Sequence, residues 1–227
     1  MSAYQELEQA TQPERDWLLA TPVIQRALDG RIDRATYLAF LAQAYHHVSH
    51  TVPLMMACGA RLPAHHEWLR EALVEYIAEE HGHQQWILDD IRAAGGDPQQ
   101  AAAGRPAPAT ELMVRHVRDV ITHDNPVGFF GMVFVLEGTS TALATRAAGA
   151  IREGLGLPPE AFRYLASHGE LDVGHLAFFQ GLIDRLDATD LAAVIDTARM
   201  VYRLYGAMFR GLDHPADATE ELAHALV

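Results

Sequence analysis

A chain of 227 residues, 49% of them hydrophobic, can bury one sizeable core and is short for two, so a single domain over 1–227 is expected. Its formal net charge of −13, from 30 acidic against 17 basic side chains, works against capture of nucleic acid or an anionic membrane surface, and neither is an expected partner. The one cysteine, Cys58, excludes an intramolecular disulfide framework, and the N-terminus MSAYQELEQATQPERDW lacks the basic start and apolar stretch of a secretory signal. A cytoplasmic protein without a membrane span is expected.

Apolar residues recur with a helical period, and Pro, Gly and Asp divide the pattern into about eight helices without any alternating strand pattern. The expectation is an all-α bundle. Helices over 3–20 and 22–29 are followed by one over 33–59, kinked at Pro53. This third helix carries AYHHVSHTVP, in which His46 and His50 are four apart and share a face while His47 turns away. Two readings stay open there: histidines bonded between helices, or His50 as a substrate or proton-transfer contact.

The fourth helix, 64–94, contains VEYIAEEHGHQQWILDDI, with Glu80 and His83 three apart on the face of Leu73, Tyr76, Ile87 and Ile91. That spacing lets two side chains grip one ion, although a solvated pair has the same spacing. The segment QQAAAGRPAPAT, 99–110, reads as a surface connection before a helix over 109–123. Next comes 126–154, where Glu137 is the one charged residue between Asp124 and Arg146. A buried carboxylate costs several kcal/mol unless it is protonated, ion-paired or metal-bound.

The helix over 159–187 holds HGELDVGH, which places His168, Asp172 and His175 within roughly 60° of one another around the helix. Gly169, Gly174 and Gly181 each cost it about 1 kcal/mol relative to alanine. A helix over 188–212 follows, then a short tail helix from 216. The tail repeats Glu-x-x-His at Glu221 and His224, where a solvated face is the ordinary reading.

Each polar cluster taken singly has an ordinary structural reading, as a solvated pair, an ion pair or a polar patch. Together they put three carboxylates and three imidazoles on three helices, enough donors for two metal ions. Two octahedral ions offer about twelve positions and these donors, with every carboxylate bidentate, fill at most about nine, which leaves room for oxygen and substrate. Imidazole and carboxylate without thiolate suit iron or manganese; hydrolysis at zinc stays open on ligand type alone.

These motifs resemble those of the haem-oxygenase-like di-metal oxidases, whose relatives include thiaminase II and pyrroloquinoline quinone synthase. The family's ligands are a Glu, a His shortly after it, a lone Glu on a later helix and His-x-x-x-Asp-x-x-His on the next. Here they correspond to Glu80, His83, Glu137, His168, Asp172 and His175. In spacing, Glu-x-x-His and the Glu137-Gly138 pair are similar to the alkene-forming fatty-acid decarboxylase. The resemblance covers roughly residues 15 to 212, with the specific motifs confined to three helices.

It implies a haem-oxygenase-like bundle of about seven or eight helices, and a metal site made of those six residues, which also carry catalysis. Two Fe(II) ions, with manganese as a substitute, and dioxygen as co-substrate are implied. So is a small organic substrate bearing a carboxylate or an amine, oxidised by carbon–carbon cleavage, hydroxylation or N-oxygenation. His50, Tyr45 and Phe134 are the expected substrate contacts, and a homodimer is the expected assembly. Some relatives have a further carboxylate on the preceding helix, where this chain offers His50 or Ser49.

Three alternatives remain. A metal-independent thiaminase-like or cofactor-synthesis enzyme on the same scaffold would need Cys58 as nucleophile. A haem enzyme would use His46 or His50 as axial ligand and leave the six-residue set unexplained. A ferritin-like iron storage or sensing protein would want Glu-x-x-His twice among buried helices.

Overall fold

Several helix starts are dictated locally. Asp33, Asp97 and Asp187 each stand one residue before a helix in extended backbone and accept hydrogen bonds from its first-turn N–H groups. In the computed structural model, residues 1–212 are described, together with the side chains of all of these except 168–176. The described residues form twelve α-helices joined by short turns, with no strand among them. They are α1 Ala3–Ala10, α2 Gln12–Leu19, α3 Pro22–Leu28, α4 Arg34–Val48, α5 Thr51–Arg61, α6 Glu67–Glu80, α7 His83–Ala93, α8 Pro98–Ala103, α9 Pro108–His123, α10 Phe129–Leu155, α11 Arg163–Ile183 and α12 Ala188–Gly211.

Twelve in place of about eight is a correction with local causes. The expected 3–20 helix is divided at Thr11, whose hydroxyl donates back to the Leu7 carbonyl at 2.8 Å. In the expected 33–59 helix the interruption falls at Ser49 and His50 rather than at Pro53. Proline has no N–H to offer the carbonyl four residues earlier, which is that of Ser49, so the ladder fails there. The 64–94 helix is broken by His81 in extended backbone and Gly82 at φ 100°, a left-handed conformation that glycine alone adopts freely. Within the expected surface connection, Asp97 caps a short α8 with Pro98 at its first position. The expected tail helix lies outside the described residues.

The core is assembled around α10, α12 and α9. Every residue of α10 from Phe129 to Val135 is buried, so its first two turns are enclosed on all sides. α10 packs along α11 and α12 and reaches α3; α12 rests on α9 and α2; α4 packs on α7 and α9, and α7 also meets α11. Of the helices carrying the expected ligands, α10 and α7 both lie against α11.

Candidate metal centre

Glu80 is the last residue of α6 and His83 the first of α7. The left-handed turn at Gly82 folds one back on the other: His83 Nδ1 lies 3.0 Å from Glu80 Oε2. His83 is 3% exposed and Glu80 14%. An ionised carboxylate can only accept, so the contact is made through a proton on Nδ1, and in the Nδ1–H tautomer of a neutral imidazole Nε2 is the atom with the lone pair. The imidazole also packs on the Trp86 ring, with centroids 4.1 Å apart. A pair expected on one helix is thus made across a break between two.

Glu137 sits about a third of the way along α10, half-buried, and its own carbonyl accepts from the Ser140 and Thr141 hydroxyls at 3.0 and 2.8 Å. Glu80 and Glu137 line one cavity, whose empty space with its mouth is about 1240 Å³. Its α10 wall runs from Phe129 to Ile151, about 33 Å of helix. Residues of α3, α4 and α5, mainly aliphatic and aromatic, make up most of the remaining lining. Among the described residues of the wall there is no Lys or Arg.

α11 is helical through positions 168, 172 and 175, and its first residues Tyr164 and Leu165 line the same cavity. The side chains of His168, Asp172 and His175 lie outside the described residues, as do Glu221 and His224. Among the described residues, no three His, Cys, Asp or Glu side chains form a group able to hold a metal. What they do provide is two carboxylates in one wall, one bonded to a buried imidazole, beside the helix on which the other three ligands are expected. Oxygen and imidazole donors without thiolate are a set that suits iron.

The expected substrate contacts are placed elsewhere. His50 caps α5 and lies with its Nδ1 3.4 Å from Arg118 Nη2, Tyr45 packs edge-on to His46, and Phe134 is in the core between Tyr4, Phe179 and Tyr202. None of the three is in the wall of this cavity. Burial and then the Arg118 charge hold His50 below the ordinary imidazole range; burial and then His50 do the same for His46.

Among the described residues, the histidine that lines the cavity is His47, which the four-residue spacing of His46 and His50 had turned away. It is 1% exposed and edge-on to Tyr205, another wall residue. A signal for it was present: Tyr37, Leu41, Ala44 and Val48 are the buried row of α4, and 47 continues that row three residues after 44. Cys58 is fully buried in the core, donates to the Pro126 carbonyl at 3.3 Å and is not in the cavity wall. Burial pushes its thiol up to about 12, the opposite of an activated nucleophile.

Comparison with known proteins bears on the family and the fold. Residues 38–206 match the family described as iron-containing redox enzymes. Among solved structures, the chain is similar to a domain of unknown function with a heme oxygenase-like fold from Shewanella denitrificans, with a TM-score of 0.83 at 22% identity, covering 98% of this chain and 97% of that one. A TenA homologue from Pseudomonas syringae aligns with a TM-score of 0.78 at 14% identity, covering 93% and 91%. Heme oxygenase-1 from Synechocystis, solved in complex with heme, aligns with a TM-score of 0.70 at 14% identity, covering 100% and 98%. At such identities the likeness establishes the fold. No curated protein is similar to the chain in sequence. The chain has the haem-oxygenase-like fold and belongs to the family of iron-containing redox enzymes.

Proposed function

We propose that the protein is a non-haem di-iron oxidase or oxygenase that activates dioxygen to oxidise a small organic substrate held in the apolar cavity. The observation that carries this reading is the placement of Glu80, bonded to His83, and Glu137 in one cavity wall beside α11. Those three residues would hold metal together with His168, Asp172 and His175. Ferrous ions, when bound, supply the electrons that reduce dioxygen.

The chain's own residues do the rest. Glu80 fixes the tautomer and ring plane of His83, which leaves Nε2 as the donor atom. Apolar side chains exclude water and enclose the body of the substrate. With no Lys or Arg among the described wall residues, a substrate carboxylate would find its counter-charge at the metal, whereas an amine would be drawn to Glu80 and Glu137. Cytoplasmic location and a homodimer belong to the same proposal; a single buried cysteine and an acidic surface suit that setting.

Thiaminase-like chemistry has little support, since Cys58 is buried outside the cavity wall with a raised pKa. The test is an oxygen pulse onto anaerobically reconstituted ferrous protein in the presence of candidate carboxylic acids and amines. Oxygen uptake that depends on one of these compounds, with a matching oxidised product, is the expected result. Substrate-independent iron oxidation with retained ferric mineral would point to storage instead.

A further inference from the structure

The start of α11 is held in an unusual way. Helices α4, α8 and α12 are capped by the aspartate immediately before them. The residue in that position for α11 is Phe162, which has no side-chain hydrogen bond to offer. Its first-turn donors are instead met by Asp90, from the middle of α7. One carboxylate oxygen accepts from the Arg163 N–H at 3.1 Å and the other from the Tyr164 N–H at 2.9 Å. A local cap would satisfy those donors equally well. A cap from another helix does something more: it fixes where α11 begins relative to α7.

The neighbouring residues are gripped too. The Tyr37 hydroxyl of α4 donates to the Ala161 carbonyl at 2.6 Å, and its ring stacks on Phe162 with centroids 5.0 Å apart. The Arg163 guanidinium lies 4.4 Å over the Trp86 ring of α7. Four consecutive residues, 161 to 164, are therefore held from outside their own helix. Asp90 itself is fully buried, and burial pushes its carboxyl up to about 6. A buried carboxylate is costly unless its oxygens are hydrogen-bonded, and here each oxygen meets one of the two first-turn N–H groups.

The spacing along both helices gives this contact its meaning. Asp90 is seven residues, two turns or about 10 Å, from His83 and on the same side of α7. Position 168 is four residues, one turn, after Tyr164. We infer that Asp90 is a positioning residue: it sets the register of α11, and so of positions 168, 172 and 175, against the Glu80–His83 pair. The inference rests on the metal-site reading proposed above. A helix weakened by Gly169, Gly174 and Gly181 depends on fixation at its end.

The test is anaerobic titration with Mn(II), read by the EPR signal of free Mn(II), on wild type, Asp90→Asn, Asp90→Ala and Asp187→Ala, with the Tm of each metal-free protein measured alongside. Asp187→Ala removes a local cap, that of α12, and serves as the control for simple loss of stability. Asp90→Ala should weaken Mn(II) binding tenfold or more, and Asp90→Asn, which keeps one acceptor oxygen, should fall between it and wild type. Asp187→Ala should lower Tm while leaving Mn(II) affinity within twofold of wild type.

If Asp90→Ala does not fold, the comparison of Asp90→Asn with Asp187→Ala at matched Tm loss decides the matter. Wild-type affinity in the Asp90 variants, or an equal loss of affinity in Asp187→Ala, overturns the positioning role and leaves the metal site standing. A wild-type protein that binds neither Mn(II) nor Fe(II) overturns the metal-site reading itself, and the positioning role with it.

Discussion

The Glu80–His83 contact depends on an uncharged residue between them as much as on the pair itself. Gly82 turns the backbone at φ 100°, and a Cβ there would meet open space, so the cost of replacing it is conformational. Gly82→Ala should lower unfolding stability by about 1–2 kcal/mol in denaturant titration, and should weaken iron binding because the turn that joins the pair relaxes. Cys58→Ser should retain full iron binding and substrate-dependent oxygen uptake, at a stability cost of about 1–2 kcal/mol for a buried hydroxyl. Loss of uptake with iron content intact would revive a nucleophilic role for the thiol.

Asp90 gives a pH dependence whose sign is fixed. Its carboxyl is raised from 3.8 to about 6 by burial, with Asp89 adding to the rise and the two backbone N–H groups and Arg163 opposing it. Between pH 4 and 6 the folded chain therefore holds more protons at this site than the unfolded one. Its contribution to stability is complete below about pH 4 and is lost as pH rises through 6. The stability difference between wild type and Asp90→Asn should shift by about 2 kcal/mol against wild type over that interval, measured by urea unfolding at a series of pH values. A difference that stays constant from pH 4 to 7 would show that Asp90 does not titrate there.

At the scale of elements, helix existence was legible in the sequence and helix continuity was not. The period of apolar residues runs straight through EEHGHQQ and AYHHVSHTVP, because each pair of short helices keeps its apolar side facing the core across the break. What interrupts them is backbone chemistry, the left-handed Gly82 and the missing N–H of Pro53, which periodicity does not register. Asp97-Pro98 is a readable start signal for α8, although only a six-residue helix follows. Close packing between helices was equally hidden. A Cβ on Gly131 would come within 2.5 Å of the Val194 carbonyl oxygen and 2.7 Å of the Ala198 nitrogen, so α10 and α12 touch backbone to backbone there. Gly131→Ala should cost about 1–3 kcal/mol and lower Tm by several degrees, since the two helices must part to admit a methyl group.

For the whole molecule, the candidate site was legible where an ionisable group stood out against an apolar background. Glu137 alone in a long apolar run and Glu80 three residues before His83 were visible on those terms, and the fold brings the two glutamates to one cavity. His47 was not found, because helical spacing favoured the His46 and His50 pair and the packing of Tyr205 against it is a long-range fact. Tyr45, His50 and Phe134 could not be ranked for the same reason: which aromatic side chain faces a cavity depends on the packing of the seven helices that line it, not on its neighbours in sequence. The clamp on residues 161 to 164 likewise joins positions more than seventy residues apart.

The central claim is that Glu80, His83, Glu137 and the three ligands expected on α11 form one paired-metal site, and anaerobic Fe(II) titration of wild type and Glu137→Ala tests it most directly. Alanine at 137 removes a carboxylate from the cavity wall and keeps good helix propensity, so the variant should fold with a metal-free Tm close to wild type. Close to two irons per chain are expected for wild type at saturation, and fewer for Glu137→Ala. A single iron or none in the wild-type protein would contradict the claim, as would two irons in both proteins with a large fall in stability for the variant, the mark of Glu137 as half of a structural ion pair.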